Sequence, residues 1–237
     1  MTNFIRFLIN IFDFFTQRKI FNVIHKELGS KLSVFVDVGS HMGEYIIQLL
    51  KRFNVEKIYA FEPSPTIFKK LGNNVRKVKN IKIYNLGAGN LNTKQILNEN
   101  IESSSSSINP LNIHSKYYKK KFFLLNFLNL RKISRPVEIE VIKLEDFLNN
   151  EKIENIDLLK IDTEGSEFNV LKGLNKSINK VNLIHLEHHF DDMIIKNYKL
   201  TDIHEFLINN NFKKIFKIKM KFRKSFEYLY KNKTLVN

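Results

Sequence analysis

The chain contains no cysteine and no tryptophan, and its 237 residues include only 4 prolines and 8 glycines. The absence of cysteine excludes a disulfide scaffold, a thiolate zinc site and a cysteine nucleophile together. Missing too is any run of roughly 20 mostly apolar residues, the length a membrane span requires. The most apolar stretch near the start, Phe4 to Phe15, is interrupted by Arg6, Asn10 and Asp13. It also lacks the basic n-region and small-residue cleavage site of a secretory signal, so cytoplasm is the expected location. Acid is scarce: 39 Lys plus Arg face 24 Asp plus Glu, giving a formal net charge of +15. Absent tryptophan and abundant Lys, Asn and Ile look like AT-rich coding bias, so ordinary solubility competes with an anionic partner as the reading of that charge. With 43% hydrophobic residues the chain can bury the core of one ordinary domain.

Phe4, Phe7, Leu8, Ile11, Phe12 and Phe15 follow the i, i+3, i+4, i+7 spacing of an amphipathic helix. This N-terminal extension, residues 1–31, is expected to pack its phenylalanine face on the domain. A homo-oligomer contact or a peripheral membrane contact through residues 4–15 is the alternative. Beyond it, residues 32–38 form a short apolar run that reads as a strand buried on both faces. A helix over 44–53, a strand over 57–61, a helix opened by Ser64-Pro65 and a strand over 81–86 follow. Strand, helix, strand, helix, strand at this spacing is the mark of βαβ units and a parallel sheet.

Periodicity weakens between Asn90 and Pro136. Ser103 to Ser107 reads as a loop, and Lys116 to Leu130 as a basic helix or lid within an insert of about 100–136. Strands are expected again at 137–141, 157–161 and 181–186, with helices at 144–148, around Phe168 to Leu174, and at 201–209. Residues 212–220 and 226–230 read as a terminal hairpin. The fold class is therefore α/β: one doubly wound, mostly parallel sheet with an N-terminal helical extension and a C-terminal hairpin, its main domain being residues 32–237.

Chemistry concentrates at the predicted strand ends. Asp37-Val-Gly-Ser-His-Met-Gly43 joins the first strand to the first helix of the domain, and its glycines permit a sharp turn and close ligand approach. It is neither the G-x-G-x-x-G dinucleotide fingerprint nor a phosphate loop. Glu62 ends the second strand, where a carboxylate can accept two hydrogen bonds from a ribose diol. Lys160-Ile-Asp-Thr-Glu-Gly-Ser-Glu167 ends a buried strand and is expected to set Asp162, Glu164 and Glu167 on the rim. Leu186-Glu-His-His-Phe190 ends the next and adds Glu187, His188 and His189. Histidine suits proton abstraction from a hydroxyl near neutral pH. The same carboxylates and histidine could equally hold a divalent cation such as magnesium.

In this order the four motifs resemble the FkbM family of S-adenosylmethionine-dependent methyltransferases, over roughly residues 32 to 190. Asp162 to Glu167 and Glu187 to His189 are the more specific elements. The resemblance implies a class I methyltransferase (Rossmann-like) fold, S-adenosylmethionine as cofactor, and methyl transfer to oxygen of sugars or natural products. It implies that Asp37, Gly39 and Gly43 line the methionine end of the cofactor, that Ser40 and His41 of the same turn also bind it, that Glu62 holds the ribose, and that Gly87 and Ala88 approach the adenine. Position 41, often asparagine in the family, is His41 here. Asp162, Glu187 and His189 are the expected catalytic residues, Asp162 or His189 as general base and Glu187 orienting the histidine or joining a metal site. The acceptor is expected to be a saccharide or another hydroxyl-bearing compound, anionic if the basic insert and tail face it. Methylation or binding of nucleic acid is the alternative, disfavoured because no helix-turn-helix, zinc or RNA-recognition pattern and no base-methylation motif is present.

Overall fold

The computed structural model describes residues 2–100, 106–110, 112–116, 118–119, 134–221 and 224–235, with side chains from residue 13 onward except at 100 and 134. Helix α1 (Thr2–Leu28) leads into β1 (Lys31–Val38), α2 (Glu44–Leu50), β2 (Asn54–Phe61), α3 (Pro65–Val75) and β3 (Ile81–Tyr84). Then come β4 (Gly87–Ala88), β5 (Thr93–Asn100), β6 (Ser134–Ile142), α4 (Leu144–Asn150) and β7 (Ile156–Ile161). The chain ends with α5 (Glu167–Leu174), β8 (Val181–His189), α6 (Leu200–Asn209), β9 (Phe212–Lys219) and β10 (Ser225–Asn232).

Seven strands form the main sheet in the order β3-β2-β1-β7-β8-β10-β9. The first five are parallel, whereas β10 runs antiparallel to both β8 and β9. The terminal hairpin thus forms as expected, with its last strand inserted between β8 and β9. The apolar runs of β1, β7 and β8 are buried on both faces, as parallel strands covered by helices must be. On one face Phe35, Leu158 and Leu183 pack against α1, α2 and α3. On the other, Leu159, Ile161 and Ile184 pack against α4, α5 and α6. Ser64 caps α3 by accepting the Ile67 N–H at 3.1 Å, with Pro65 at the first helical position.

Two features depart from expectation. Within 90–136, read as irregular, Thr93–Asn100 is a strand, antiparallel to β6 in a small second sheet ordered β4-β6-β5. Its two buried positions on one face are Leu97 and Glu99, so a charge stands where apolar alternation would be looked for. Arg135 meets that carboxylate with its Nε at 2.7 Å. The proposed lid between Lys116 and Leu130 lies mostly outside the described residues. For α1, Ile20, Phe21 and Ile24 are buried in the core, while Phe14 and Phe15 are exposed. The side chains of Phe4, Phe7, Leu8, Ile11 and Phe12 lie outside those described. Among the described residues, no helix is long and apolar enough to cross a membrane.

Candidate functional site

A cavity of about 570 Å³ opens beyond the carboxyl ends of the central strands, within the ~300–1,000 Å³ common for small-ligand sites. Strand order reverses between β1 and β7, the place where open α/β sheets bind ligands.

The glycine turn forms one wall. Gly39 has φ +83°, and a Cβ there would stand 1.8 Å from the Asp162 carbonyl oxygen, so the exits of β1 and β7 can approach this closely only over glycine. The Gly39 and Ser40 N–H groups donate to the Phe61 carbonyl at 3.0 and 2.9 Å. His41, with φ 49°, donates its N–H to Glu62 Oε2 at 2.9 Å. Glu62 Oε1 accepts from the Ser64 N–H at 2.9 Å. One carboxylate thereby ties the turn to the start of α3. Burial pushes the Glu62 carboxyl up to about 7, against the pull of those N–H donors and His41.

Gly39, Ser40, His41, Glu62, Gly87 and Ala88 all line the cavity, whereas Asp37 and Gly43, also expected to meet the cofactor, are not among its lining residues. Asp37 is fully buried, its Oδ1 3.6 Å from Lys160 Nζ. Burial pushes its carboxyl up, and Lys160 opposes that shift. Gly43 opens α2 with φ +85° and faces Leu71 and Val75.

The opposite wall holds the acids. Asp162 and Glu187 line the cavity, and Asp162 Oδ2 lies 3.2 Å from Lys160 Nζ. Lys160 is buried, yet Asp162 and Asp37 outweigh the desolvation and raise its pKa, so it stays charged. His189 stands beside this wall rather than in it: its Nε2 is 3.4 Å from both Glu164 Oε2 and Glu187 Oε1, and its Nδ1 is 3.5 Å from Asp191 Oδ2. Burial opposes a charge there, but Asp191, Glu164 and Glu187 prevail and raise its pKa well above the ordinary value. The surrounding carboxylates therefore favour the protonated ring. Among the described residues, no group of three or more His, Asp or Glu is placed to hold a metal ion. Glu164, Glu187 and Asp191 all face the His189 ring.

Glu167, expected on the rim, turns inward instead. It accepts the Gly165 N–H at 2.7 Å and the Tyr198 hydroxyl, and so braces the loop that carries Asp162 and Glu164. His188 points to the other face of the sheet, beside Tyr198, and burial pulls its pKa down to about 4. Sequence reasoning missed Tyr45, Lys160 and Glu227 as cavity residues, and missed Asp13, Phe14 and Gln17 of α1. Lys160 had a signal, since a lysine two residues before Asp162 in a buried strand must point the same way.

Residues 37–214 match the Methyltransferase FkbM domain family. The chain is 27% identical over 148 residues to Methyltransferase 1 of Beauveria bassiana (strain ARSEF 2860), covering 60% of this chain and 59% of that protein, less than two thirds of its length. It is 20% identical over 169 residues to the 2-O-methyltransferase NoeI of Sinorhizobium fredii, covering 70% of this chain and 68% of that one. Among solved structures, the methyltransferase FkbM of Methylobacillus flagellatus KT superposes with a TM-score of 0.54 at 16% identity, over 84% of this chain and 43% of that one. TrmK of M. capricolum, in complex with S-adenosylhomocysteine, gives 0.51 at 12% identity over 90% and 67%. These structures share the fold. Because the family match runs from the glycine turn through the acidic wall to the terminal hairpin, this chain belongs to the FkbM methyltransferase family.

Proposed function

We propose that the protein is an S-adenosylmethionine-dependent O-methyltransferase acting on a hydroxyl of a saccharide. The observation that carries this reading is the pairing, in one cavity, of the buried Glu62 carboxylate beside a glycine turn with acids at the far strand ends. Similarity to a 2-O-methyltransferase supports oxygen as the accepting atom. Gly39 to His41, Glu62, Gly87 and Ala88 would hold the cofactor, which supplies an electrophilic methyl group when bound. The protein then has to orient an acceptor hydroxyl and take its proton. Asp162 is the better placed base, because it lines the cavity whereas His189 stands beside it among carboxylates that favour its protonated form. Among the described residues the cavity walls carry seven carboxylates and one lysine. That wall suits a neutral hydroxyl-bearing ring better than a phosphate, against an anionic acceptor at the reacting centre and against nucleic acid.

Calorimetric titration with S-adenosylhomocysteine tests the cofactor half; micromolar binding is expected, and no binding refutes the reading. A screen of sugar acceptors with labelled S-adenosylmethionine tests the rest. With an acceptor in hand, Asp162→Asn is expected to lower kcat by about 10²- to 10⁴-fold, the usual value of a general base. His189→Ala should cost less than Asp162→Asn, and the reverse order would transfer the base to the histidine.

A pH dependence follows from Glu62. Its carboxyl is raised from 4.5 to about 7 in the folded protein, so its contribution to stability is complete below about 4.5 and is lost as pH rises through about 7. A ribose diol donates to the ionised form, so ligand affinity moves the opposite way. The rise in Tm on adding S-adenosylhomocysteine should be larger at pH 8.5 than at pH 5.5. Glu62→Gln should flatten that difference.

A further inference from the structure

At the cavity floor a polar row crosses the sheet. Asp37 stands in register with Lys160, and Lys160 with His185. Neighbours in register share a face, and two residues earlier on that face stand Phe35, Leu158 and Leu183, all fully buried. The core is apolar up to this rung and then becomes ionic. Tyr45 of α2 reaches into the row, with Lys160 Nζ 5.1 Å from the centre of its ring. Its hydroxyl lies 2.8 Å from His185 Nδ1, and His185 Nε2 lies 2.9 Å from Glu227 Oε2. An ionised carboxylate only accepts, so Nε2 bears the hydrogen it gives to Glu227, and Nδ1 faces the Tyr45 hydroxyl. Tyr45 and Glu227 both line the cavity, whereas His185 is fully buried and touches none of it.

Such a chain is a costly way to fill a core. Its groups lose water and must satisfy one another completely, whereas an aliphatic side chain would need no partner. Glu227 also stands directly opposite Glu187 across β8 and β10, a like-charge pairing that destabilises a sheet. Folding alone does not call for a carboxylate there, and His185 anchors it by one oxygen on the side of the cavity away from Glu62.

We propose that His185 is a positioning residue that presents Glu227 to the reacting centre, where the cofactor's positive charge and the acceptor hydroxyl meet. This rests on the methyltransferase reading and adds the terminal hairpin to the site.

The test uses two probes: S-adenosylhomocysteine, neutral at sulfur, and sinefungin, which carries an amine cation in the position of the methylated sulfonium. Glu227→Gln keeps the shape and an acceptor oxygen for His185. It should weaken sinefungin about tenfold while changing S-adenosylhomocysteine by about twofold or less. Nitrogen-15 spectra of the intact protein should show both His185 ring nitrogens shifting on sinefungin binding. Tyr45→Phe should move Nδ1 alone in the free protein. Equal losses for the two probes would reduce Glu227 to a structural role and overturn the proposal, as would His185 resonances indifferent to sinefungin. Failure of the unaltered protein to bind either probe would instead remove the methyltransferase reading on which the proposal stands.

Discussion

Replacing Glu62 by alanine is expected to weaken S-adenosylhomocysteine binding by at least about a hundredfold. The carboxylate has two roles there. As a ligand group it can accept both hydroxyls of a ribose, and hydrogen bonds to a charged acceptor contribute about 1.5–3 kcal/mol each. Two of them amount to about 3–6 kcal/mol, or roughly 10²- to 10⁴-fold in Kd. As a structural group it holds the His41 and Ser64 N–H donors at 2.9 Å each, and alanine would leave both to water. His41 would then lose the contact that keeps its backbone in the left-handed region, so the turn would loosen even before ligand arrives. Glutamine separates the two roles. Its amide nitrogen cannot accept, so one backbone donor and one ribose hydroxyl lose their partner while the shape survives. An intermediate loss of about tenfold is expected from Glu62→Gln. Calorimetry at pH 8, where the native carboxylate is ionised, measures both variants. Affinity within threefold of the native protein in Glu62→Ala would mean that the ribose is held elsewhere.

Much of the candidate site can be read from the sequence, because strands buried on both faces write themselves as nearly continuous apolar runs that end at a glycine or an acid. Val38, Phe61 and Ile161 each close such a run, and Gly39, Glu62 and Asp162 follow directly. The terminal hairpin is legible from its two apolar segments, but not its place in the sheet. Nothing local to β10 says that it inserts between β8 and β9, which brings Glu227 opposite Glu187. Strand β5 escaped because one of its inward positions is Glu99, whose partners Ser64, Thr66 and Arg135 lie between 33 and 36 residues away in sequence. The Tyr45–His185–Glu227 chain escaped for the same reason on a larger scale. Its two hydrogen bonds join residues 140 and 42 positions apart, and each residue alone reads as a core aromatic, a core histidine or a surface acid. Glu167 shows the converse error. Its spacing from Asp162 suggests a third rim acid, yet the tight turn at Gly165 needs its N–H satisfied, and Glu167 is the acceptor within reach.

Gly39→Ala should be the most destabilising of the substitutions considered, because two penalties coincide at one atom. A left-handed backbone costs a non-glycine residue about 1–2 kcal/mol, and Gly39 sits at φ +83°. The larger penalty is steric: the new Cβ would lie 1.8 Å from the Asp162 carbonyl oxygen and 2.8 Å from its carbon. Those are backbone atoms, and Asp162 N–H donates to the Val38 carbonyl at 2.9 Å, so neither strand can move without opening the β1–β7 pairing. A loss of about 3–5 kcal/mol is expected, which for a domain of this size lowers Tm by roughly 6–20 °C. Gly29 separates the two penalties. It has φ +74°, and a Cβ there meets nothing within 4 Å. Gly29→Ala should therefore cost only the backbone term, a few degrees in Tm. Thermal denaturation of both variants decides the matter, and equal losses would show that conformation rather than contact fixes Gly39. The unequal loss expected here would mean that this turn is glycine because two strand ends meet over it. Only then can Asp162 stand within the same cavity as Glu62.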